Sequence, residues 1–159
     1  MKIFTLVLSL LATTIMYGQA DFTGNWKLNM DRSQFNNTPG TPAAAKLVVE
    51  QNAGTITYQR NDRPKESLNI DGITSDSTTS IEISEGDHKT VVSVKLAADK
   101  SGLIETRTYS YPESETAEVA AKKTRTWNLS ADKQTLTIQD HIESTAGKTY
   151  DMILIYERQ

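Results

Sequence analysis

The sequence predicts an all-β protein, a single antiparallel up-and-down β-barrel of about eight to ten strands. About ten short segments alternate polar and apolar residues with a period of two, and turn residues separate them at regular spacing. Thr, Val, Ile and Tyr are frequent in these segments, as is typical of strands. The first and last segments alternate in the same way, so they are suited to pair with each other and close a barrel.

Each predicted strand ends where turn chemistry begins, for example at Asn52-Ala53-Gly54, Asp71-Gly72 and Ala146-Gly147. The predicted strands are Phe22–Leu28, Lys46–Gln51, Thr55–Asn61, Lys65–Ile70, Thr78–Ser84, His88–Ala97, Leu103–Tyr111, Lys122–Leu129, Thr135–Ile142 and Tyr150–Arg158.

Three stretches give less definite predictions. Asp31 followed by Gln34 fits a helix-capping pair, so one helical turn is expected at Asp31–Phe35. The Asn36–Pro42 stretch that follows is rich in turn residues and is either a lid over an open barrel end or a plain surface loop. In Leu103–Tyr111, Glu105 and Arg107 form either an outward pair exposed to solvent or part of the inward face, and alternation does not choose between them.

The first twenty residues have the pattern of a secretory signal peptide. Lys2 supplies the positive start, Ile3–Leu11 is apolar, and Gly18-Gln19-Ala20 is a small-x-small cleavage site. The alternative, a retained membrane anchor, is disfavoured because the apolar run is too short to span a bilayer. We therefore expect one barrel domain over residues 21–159, secreted or periplasmic, without stable membrane insertion. The chain has no cysteine, which excludes disulfides, thiolate chemistry and a lipid anchor on cysteine.

Charge and motif content exclude several function classes. The net charge is −3, and removal of the leader removes only Lys2, which makes it −4. A chain without a basic excess is not expected to bind nucleic acid. His88 and His141 are far apart and in no metal-ligand spacing, and no phosphate-binding glycine loop occurs. We predict neither a metal site nor a cofactor.

Short motifs at both ends of the chain resemble those of lipocalins and the wider calycin group. Gly24-x-Trp26 in the first strand is similar to the lipocalin signature, and Arg158 lies where lipocalins carry an arginine that packs across the tryptophan ring. Such a pair is physically favourable, because a guanidinium over an indole face is a cation–π contact. Trp127–Thr137 and Ser33-x-Phe35 also resemble small secreted lipocalin-like proteins of undefined function. The resemblance implies a barrel that Gly24, Trp26 and Arg158 close at one end.

Charged residues on otherwise apolar faces are the candidate site. Arg60 shares a face with Ile56 and Tyr58, and Glu66 with Leu68. Arg125 shares one with Trp127. Asp140 has apolar neighbours on both sides of its face. A buried charge is costly unless it is paired. The residues therefore either orient a ligand at the barrel mouth, with Tyr58, Tyr109 and Tyr150 supplying hydrogen bonds, or reach solvent and pair as structural plugs. The predicted ligand-binding residues are Tyr58, Arg60, Glu66, Tyr109, Arg125, Asp140 and Tyr150.

Three functional interpretations follow. The first is non-covalent binding of one small, partly hydrophobic molecule inside the barrel. The second is a protein-binding module, such as a secreted inhibitor or envelope-associated adaptor, that uses the Asn36–Ala44 and Pro112–Glu118 loops. The third is a barrel enzyme in which Asp140 is the general acid or base and Arg125 or Arg60 tunes its pKa. The chain carries no recognisable nucleophile motif, so the third is the least favoured.

Overall fold

A computed structural model of the protein describes residues 20–36, 38, 43–74, 76–85, 88–98, 101–110 and 120–159. Its ten strands follow the predicted segments closely, because alternation and turn chemistry agree along most of the chain. The strands are β1 (Gly24–Leu28), β2 (Lys46–Gln51), β3 (Thr55–Arg60), β4 (Glu66–Asn69), β5 (Thr79–Glu85), β6 (His88–Leu96), β7 (Gly102–Ser110), β8 (Ala120–Leu129), β9 (Thr135–Ser144) and β10 (Thr149–Arg158).

All ten strands form one antiparallel sheet that curls into a nearly closed barrel. Each strand pairs with its neighbours in sequence, and β1 pairs with β10, with Trp26 opposite Arg158 and Leu28 opposite Tyr156. The predicted all-β up-and-down barrel and the pairing of its first and last strands are confirmed. The architecture is compatible with a calycin-like fold.

The barrel has one incomplete seam, between β4 and β5. These strands are the two ends of the sheet order, and no ladder joins them among the described residues. The Thr79 hydroxyl donates to the Asn69 carbonyl at 2.8 Å, which links the two strands at one point. β4 has four residues and β5 has seven. The seam is thus where the inner face can be reached from the side.

One barrel end is closed by aromatic side chains. Trp26 is buried and donates from its indole nitrogen to the Phe22 carbonyl at 3.1 Å. The Arg158 guanidinium lies 4.4 Å from the centre of the Trp26 ring and donates to the Thr23 carbonyl at 2.7 Å. A Cβ at Gly24 would come within 2.6 Å of the Arg158 Nη1 atom, so only glycine leaves room for this contact. The contact between the Arg158 guanidinium and the Trp26 ring, on which the predicted closure depends, is present at this end.

The opposite end, called the mouth below, is where β3 ends and β4 begins and where β7 ends and β8 begins. Between the two ends, the inner face is lined by buried apolar side chains from nine of the strands. This core includes Leu47, Val49, Ile56, Tyr58, Leu68, Val92, Val94, Leu96, Leu103, Trp127, Leu136, Ile138, Met152, Leu154 and Tyr156.

The segment after β1 differs from the prediction. A turn covers residues 30–32, and no helix forms at Asp31–Phe35. Gln34 instead forms a β-bridge with Ile153, exchanging backbone hydrogen bonds of 2.7 and 2.8 Å, and these favour extended backbone over a helical turn. The leader (residues 1–19), the Pro112–Glu118 loop and most of the Asn36–Pro42 loop lie outside the described residues. No helix in the described part of the chain is long and apolar enough to cross a membrane.

Candidate functional site

A narrow apolar crevice lies at the seam between β4 and β5. It is lined by Leu68, Asn69, Thr79, Ile81, Val92 and Val94. The space inside the crevice that a water-sized group can occupy is about 10 Å³. This is the room that about one such group needs, so the crevice itself admits a water molecule or a methyl group and is far smaller than a pocket for a drug-sized ligand.

Two isoleucines extend the apolar wall from the crevice towards the mouth. Ile81 is opposite Val92 and Ile83 is opposite Thr90, so both lie on the inner face of β5. They are nevertheless 39% and 48% exposed. Inward-facing isoleucines with this exposure show that the inner wall is open to solvent along β5.

Charged side chains gather beside this crevice and form the interior polar cluster. Val92 and Val94, which line the crevice, are the direct cross-strand neighbours of Arg107 and Glu105. Glu105 is in turn the cross-strand neighbour of Arg125, and Arg125 is the cross-strand neighbour of Asp140. The cluster consists of Tyr58, Arg60, Glu66, Glu105, Arg107, Lys123, Arg125 and Asp140.

Glu66 joins the part of the cluster that spans the seam. Its carboxylate accepts hydrogen bonds from Arg60, from Arg107 at 2.7 Å and from the Tyr58 hydroxyl at 3.1 Å. Arg107 also donates to the Tyr58 hydroxyl at 2.6 Å and, from Nε, to Glu105 at 2.5 Å. Since Arg107 is on β7 and Glu66 is on β4, these bonds cross the barrel interior in front of the seam.

Asp140 joins the second part of the cluster, on β8 and β9. Arg125 donates to both of its oxygens, at 2.7 and 2.8 Å, in a bidentate pair. The Lys123 ammonium lies 2.8 Å from Asp140 Oδ2. Arg125 and Asp140 are buried, and Lys123 is mostly buried. Each of these charges is therefore compensated inside the barrel.

The pairing sets the protonation of the cluster. Burial opposes ionisation of Asp140, but Arg125 and Lys123 outweigh it and hold its pKa at about 2. Burial likewise opposes ionisation of Glu66, yet Arg107 and Arg60 lower its pKa. Burial lowers the pKa of Lys123, and the neighbouring Arg125 adds to this, while Asp140 offsets it in part. Burial raises the pKa of Tyr58, so its hydroxyl stays protonated.

The structure brings five of the seven predicted ligand-binding residues into this cluster: Tyr58, Arg60, Glu66, Arg125 and Asp140. Tyr109 and Tyr150 are half-buried near the mouth, with Tyr109 opposite Thr90 and Tyr150 opposite Ile142.

Glu105, Arg107 and Lys123 were not among the predicted site residues. Glu105 is 1% exposed and Arg107 is mostly buried, so the β7 face that carries them points inward and the outward interpretation is wrong. Leu103 lies on the same face and is fully buried. An apolar residue at this position is the feature of the sequence that indicates an inward direction for this face. Lys123 shares the face of Arg125 and Trp127 and was identifiable by the same alternation.

Three buried polar atoms lack a hydrogen-bond partner among the described residues: Arg60 Nε and Glu105 Oε2 in the interior polar cluster, and Trp127 Nε1 outside it. Trp127 packs on Tyr58, with ring centres 5.4 Å apart, and on Phe22 at 5.9 Å. Such atoms are rare in folded proteins, because an unsatisfied buried polar group costs about 1–3 kcal/mol.

The arrangement suits recognition better than acid–base catalysis. A carboxylate with a pKa of about 2 is a weak base at neutral pH, and both Asp140 oxygens are already occupied. The described residues contain no group of three His, Asp or Glu side chains placed to hold a metal ion. His141 is on the outer face, where its Nδ1 lies 2.7 Å from Asp151 Oδ1, and the side chain of His88 lies outside the described part.

No protein-family model matches the chain, and no curated protein matches it either.

Proposed function

We propose that this protein is a lipocalin-like binding protein that holds one small, partly hydrophobic molecule non-covalently at the β4–β5 seam. The observation that carries the proposal is the contact between an apolar crevice and the interior polar cluster. Val92 and Val94 line the crevice and neighbour Arg107 and Glu105 directly. Binding sites for small molecules typically combine such an apolar wall with a few placed polar groups.

The exposed inner wall of β5 supports the same function. Ile81 and Ile83 face inward yet remain partly in water. A ligand tail that covered them would remove apolar area from water at about 25 cal/mol per Å². The Gly24, Trp26 and Arg158 closure gives this barrel the end plug that the lipocalin resemblance implies.

Filling the crevice tests the proposal. Native mass spectrometry of the full chain, purified without detergent, is expected to show an adduct of small-molecule mass, and Ile81→Trp is expected to remove it. Ile81 is partly exposed, so a larger side chain can enter without overpacking the core. Val91→Trp, on the outer face of β6, is the matched control and should retain the adduct. An adduct that survives Ile81→Trp would place any ligand elsewhere.

A protein-binding role has one specific observation in its favour: the edge of β5 at the seam forms no strand ladder within the described part of the chain. An exposed strand edge can accept an added strand from a partner. Glu82→Pro would block strand addition at this edge, and deletion of residues 36–42 would remove the candidate loop. Capture of a protein partner that is lost in either variant, with the small-molecule adduct unchanged, would favour this role.

Export is part of the proposal and is supported by the leader pattern in residues 1–20. Mass spectrometry tests export and cleavage of the leader, when it is applied to the protein recovered from outside the cytoplasm of its own host. A mass that corresponds to a start near Asp21 is expected, and a full-length mass would refute cleavage.

A further inference from the structure

One lysine of the interior polar cluster has the surroundings of a reactive amine. We propose that Lys123 is a covalent site at the mouth of the barrel, where its amine forms a reversible imine with a small aliphatic aldehyde. This site goes beyond the proposed function, because it lies at the mouth and needs no ligand in the crevice.

Lys123 is the part of the cluster on β8 and β9 that solvent can reach. It lies on the inner face of β8, near the start of that strand at the mouth. Its side chain is 18% exposed, whereas those of Arg125 and Asp140 are 8% and 0% exposed. A small molecule that arrives at the mouth therefore meets the lysine before the buried pair.

Two cations share one carboxylate oxygen at this position. The Lys123 ammonium and the Arg125 Nη2 atom are each 2.8 Å from Asp140 Oδ2. On its other side, Lys123 has Arg107 of β7 as its direct cross-strand neighbour. Positive charges this close repel each other, most strongly where water is scarce. Arginine stays protonated in proteins, so the lysine is the cation that can relieve the repulsion by losing its proton.

The charge of the whole cluster also favours a neutral Lys123. Apart from the lysine, the charged members of the cluster among the described residues are three arginines and three carboxylates, namely Arg60, Arg107, Arg125, Glu66, Glu105 and Asp140. A protonated Lys123 adds an excess of one positive charge to a largely buried group, which is costly. Burial and Arg125 accordingly lower the pKa of Lys123, although Asp140 and Glu105 offset part of this effect.

A neutral, partly buried amine is a nucleophile towards carbonyl groups, and a lysine next to another cation is a typical imine-forming residue. After the ammonium has released its proton to water, the nitrogen lone pair attacks the aldehyde carbon, and the carbonyl electron pair moves to oxygen. Proton transfer from nitrogen to that oxygen gives a carbinolamine. The hydroxyl then leaves with the remaining N–H proton as water, and the C=N bond forms without any oxidant or reductant.

The neighbours of Lys123 on β9 and β10 favour a short alkyl chain on the aldehyde. Ile142 is the cross-strand neighbour of Lys123, and Tyr150 is the cross-strand neighbour of Ile142. Both lie on the inner face and are only half-buried. An alkyl chain attached to the lysine can therefore cover apolar area that these two side chains expose at the mouth, and this burial is favourable.

Reductive trapping with hexanal and sodium cyanoborohydride tests the site on the full-length protein at pH 7. Cyanoborohydride reduces an imine to a stable secondary amine, and peptide mapping by mass spectrometry then locates each hexyl group. Lys122 is the matched control, because it is the adjacent residue, has a more exposed side chain and pairs with Glu143 on the outer face. We expect Lys123 to be labelled about tenfold faster than Lys122, because a larger fraction of its amine is neutral.

Two variants and one omission complete the experiment. Lys123→Arg keeps a cation that can bond to Asp140 but cannot form an imine, so it should lose the fast labelling. Ile81→Trp fills the crevice and should leave the labelling of Lys123 unchanged. Without cyanoborohydride, the hexanal adduct of the wild type should disappear on dilution.

Three results would overturn the assignment, whatever happens to the small-molecule adduct at the seam. The first is labelling of Lys123 that is no faster than that of Lys122. The second is fast labelling that persists in Lys123→Arg, which would mean that the reactive amine is elsewhere. The third is loss of Lys123 labelling in Ile81→Trp, which would mean that the aldehyde depends on the crevice and that the mouth is not a separate site.

Discussion

Replacing Asp140 by Asn is expected to destabilise the barrel by about 3 kcal/mol. Asp140 accepts two bonds from Arg125 and one from Lys123, and its side chain is fully buried. Removal of one partner of a buried ion pair typically costs 3–5 kcal/mol, because the other charge stays buried without compensation. The Asn carbonyl still accepts one bond, and Lys123 can extend to solvent, so the lower end of that range applies.

Urea unfolding followed by the fluorescence of Trp26 and Trp127 measures this loss. Both rings are buried and should report the same transition. With a urea m-value of about 2 kcal/mol/M, a loss of 3 kcal/mol lowers the midpoint by about 1.5 M. Asp151→Asn is the control, since Asp151 pairs with His141 on an exposed face and should cost at most about 0.5 kcal/mol.

A double variant sharpens the experiment. Arg125→Met combined with Asp140→Leu replaces the buried pair by apolar groups, and such exchanges are often neutral or stabilising. We expect it to recover most of the stability that Asp140→Asn loses. Two results would refute the view that the cost arises from an uncompensated buried cation. One is a loss of stability below 1 kcal/mol for Asp140→Asn, and the other is a double variant that is less stable than the single one.

Three further predictions follow from the ion pairs and the closed end. Because the folded state holds the pKa of Asp140 at about 2, its contribution to stability is complete above pH 4 and is lost as the pH falls towards 2. Wild-type stability should therefore drop by about 2 kcal/mol more than that of Asp140→Asn over this interval, as measured by urea unfolding at each pH. Gly24→Ala should cost about 1 kcal/mol more in the wild-type chain than in an Arg158→Met background, because only the wild type has an Arg158 guanidinium to displace from Trp26, whereas the backbone strain of alanine at this position is common to both; equal costs in both backgrounds would exclude displacement of Arg158 as the cause. Arg107→Gln should accelerate hydrogen exchange in β4 and β5 before other strands, whereas uniform acceleration would show that Arg107 does not hold the seam.

The strands could be predicted from sequence because their signals are local. Predicted Thr55–Asn61 and Tyr150–Arg158 differ from β3 and β10 by one residue at one end, since alternation and turn residues agree there. The helical turn at Asp31–Phe35 failed because the capping pair is a weak local preference. The two backbone hydrogen bonds between Gln34 and Ile153 come from a strand more than a hundred residues away and override it.

The site was predictable only as a set of residue types. Arg60, Glu66, Arg125 and Asp140 share faces with apolar residues, which is visible in sequence. Which charge pairs with which depends on register between strands, so the Arg125–Asp140 pair could not be deduced from spacing. The inward face of β7 could be assigned only from the strands that pack around it, because Glu105 and Arg107 resemble an exposed pair when β7 is considered alone. The seam could not be located either, since Asp71-Gly72 resembles the other turns.

Between β4 and β5, where the described residues form no ladder, the interior polar cluster has a structural role in addition to the binding role proposed for it. A closed barrel satisfies the edges of all its strands, but here the seam is spanned by side chains, chiefly through the bonds of Arg107 with Glu66 and Tyr58. The groups that hold the seam together are thus the ones that border the crevice. A ligand that binds there must coexist with these bonds, and it stabilises the folded barrel by RT ln(1 + [L]/Kd). A ligand that displaced Arg107 from Glu66 would lose part of that gain by loosening the seam, so the fold itself favours a ligand that leaves the ion pairs intact.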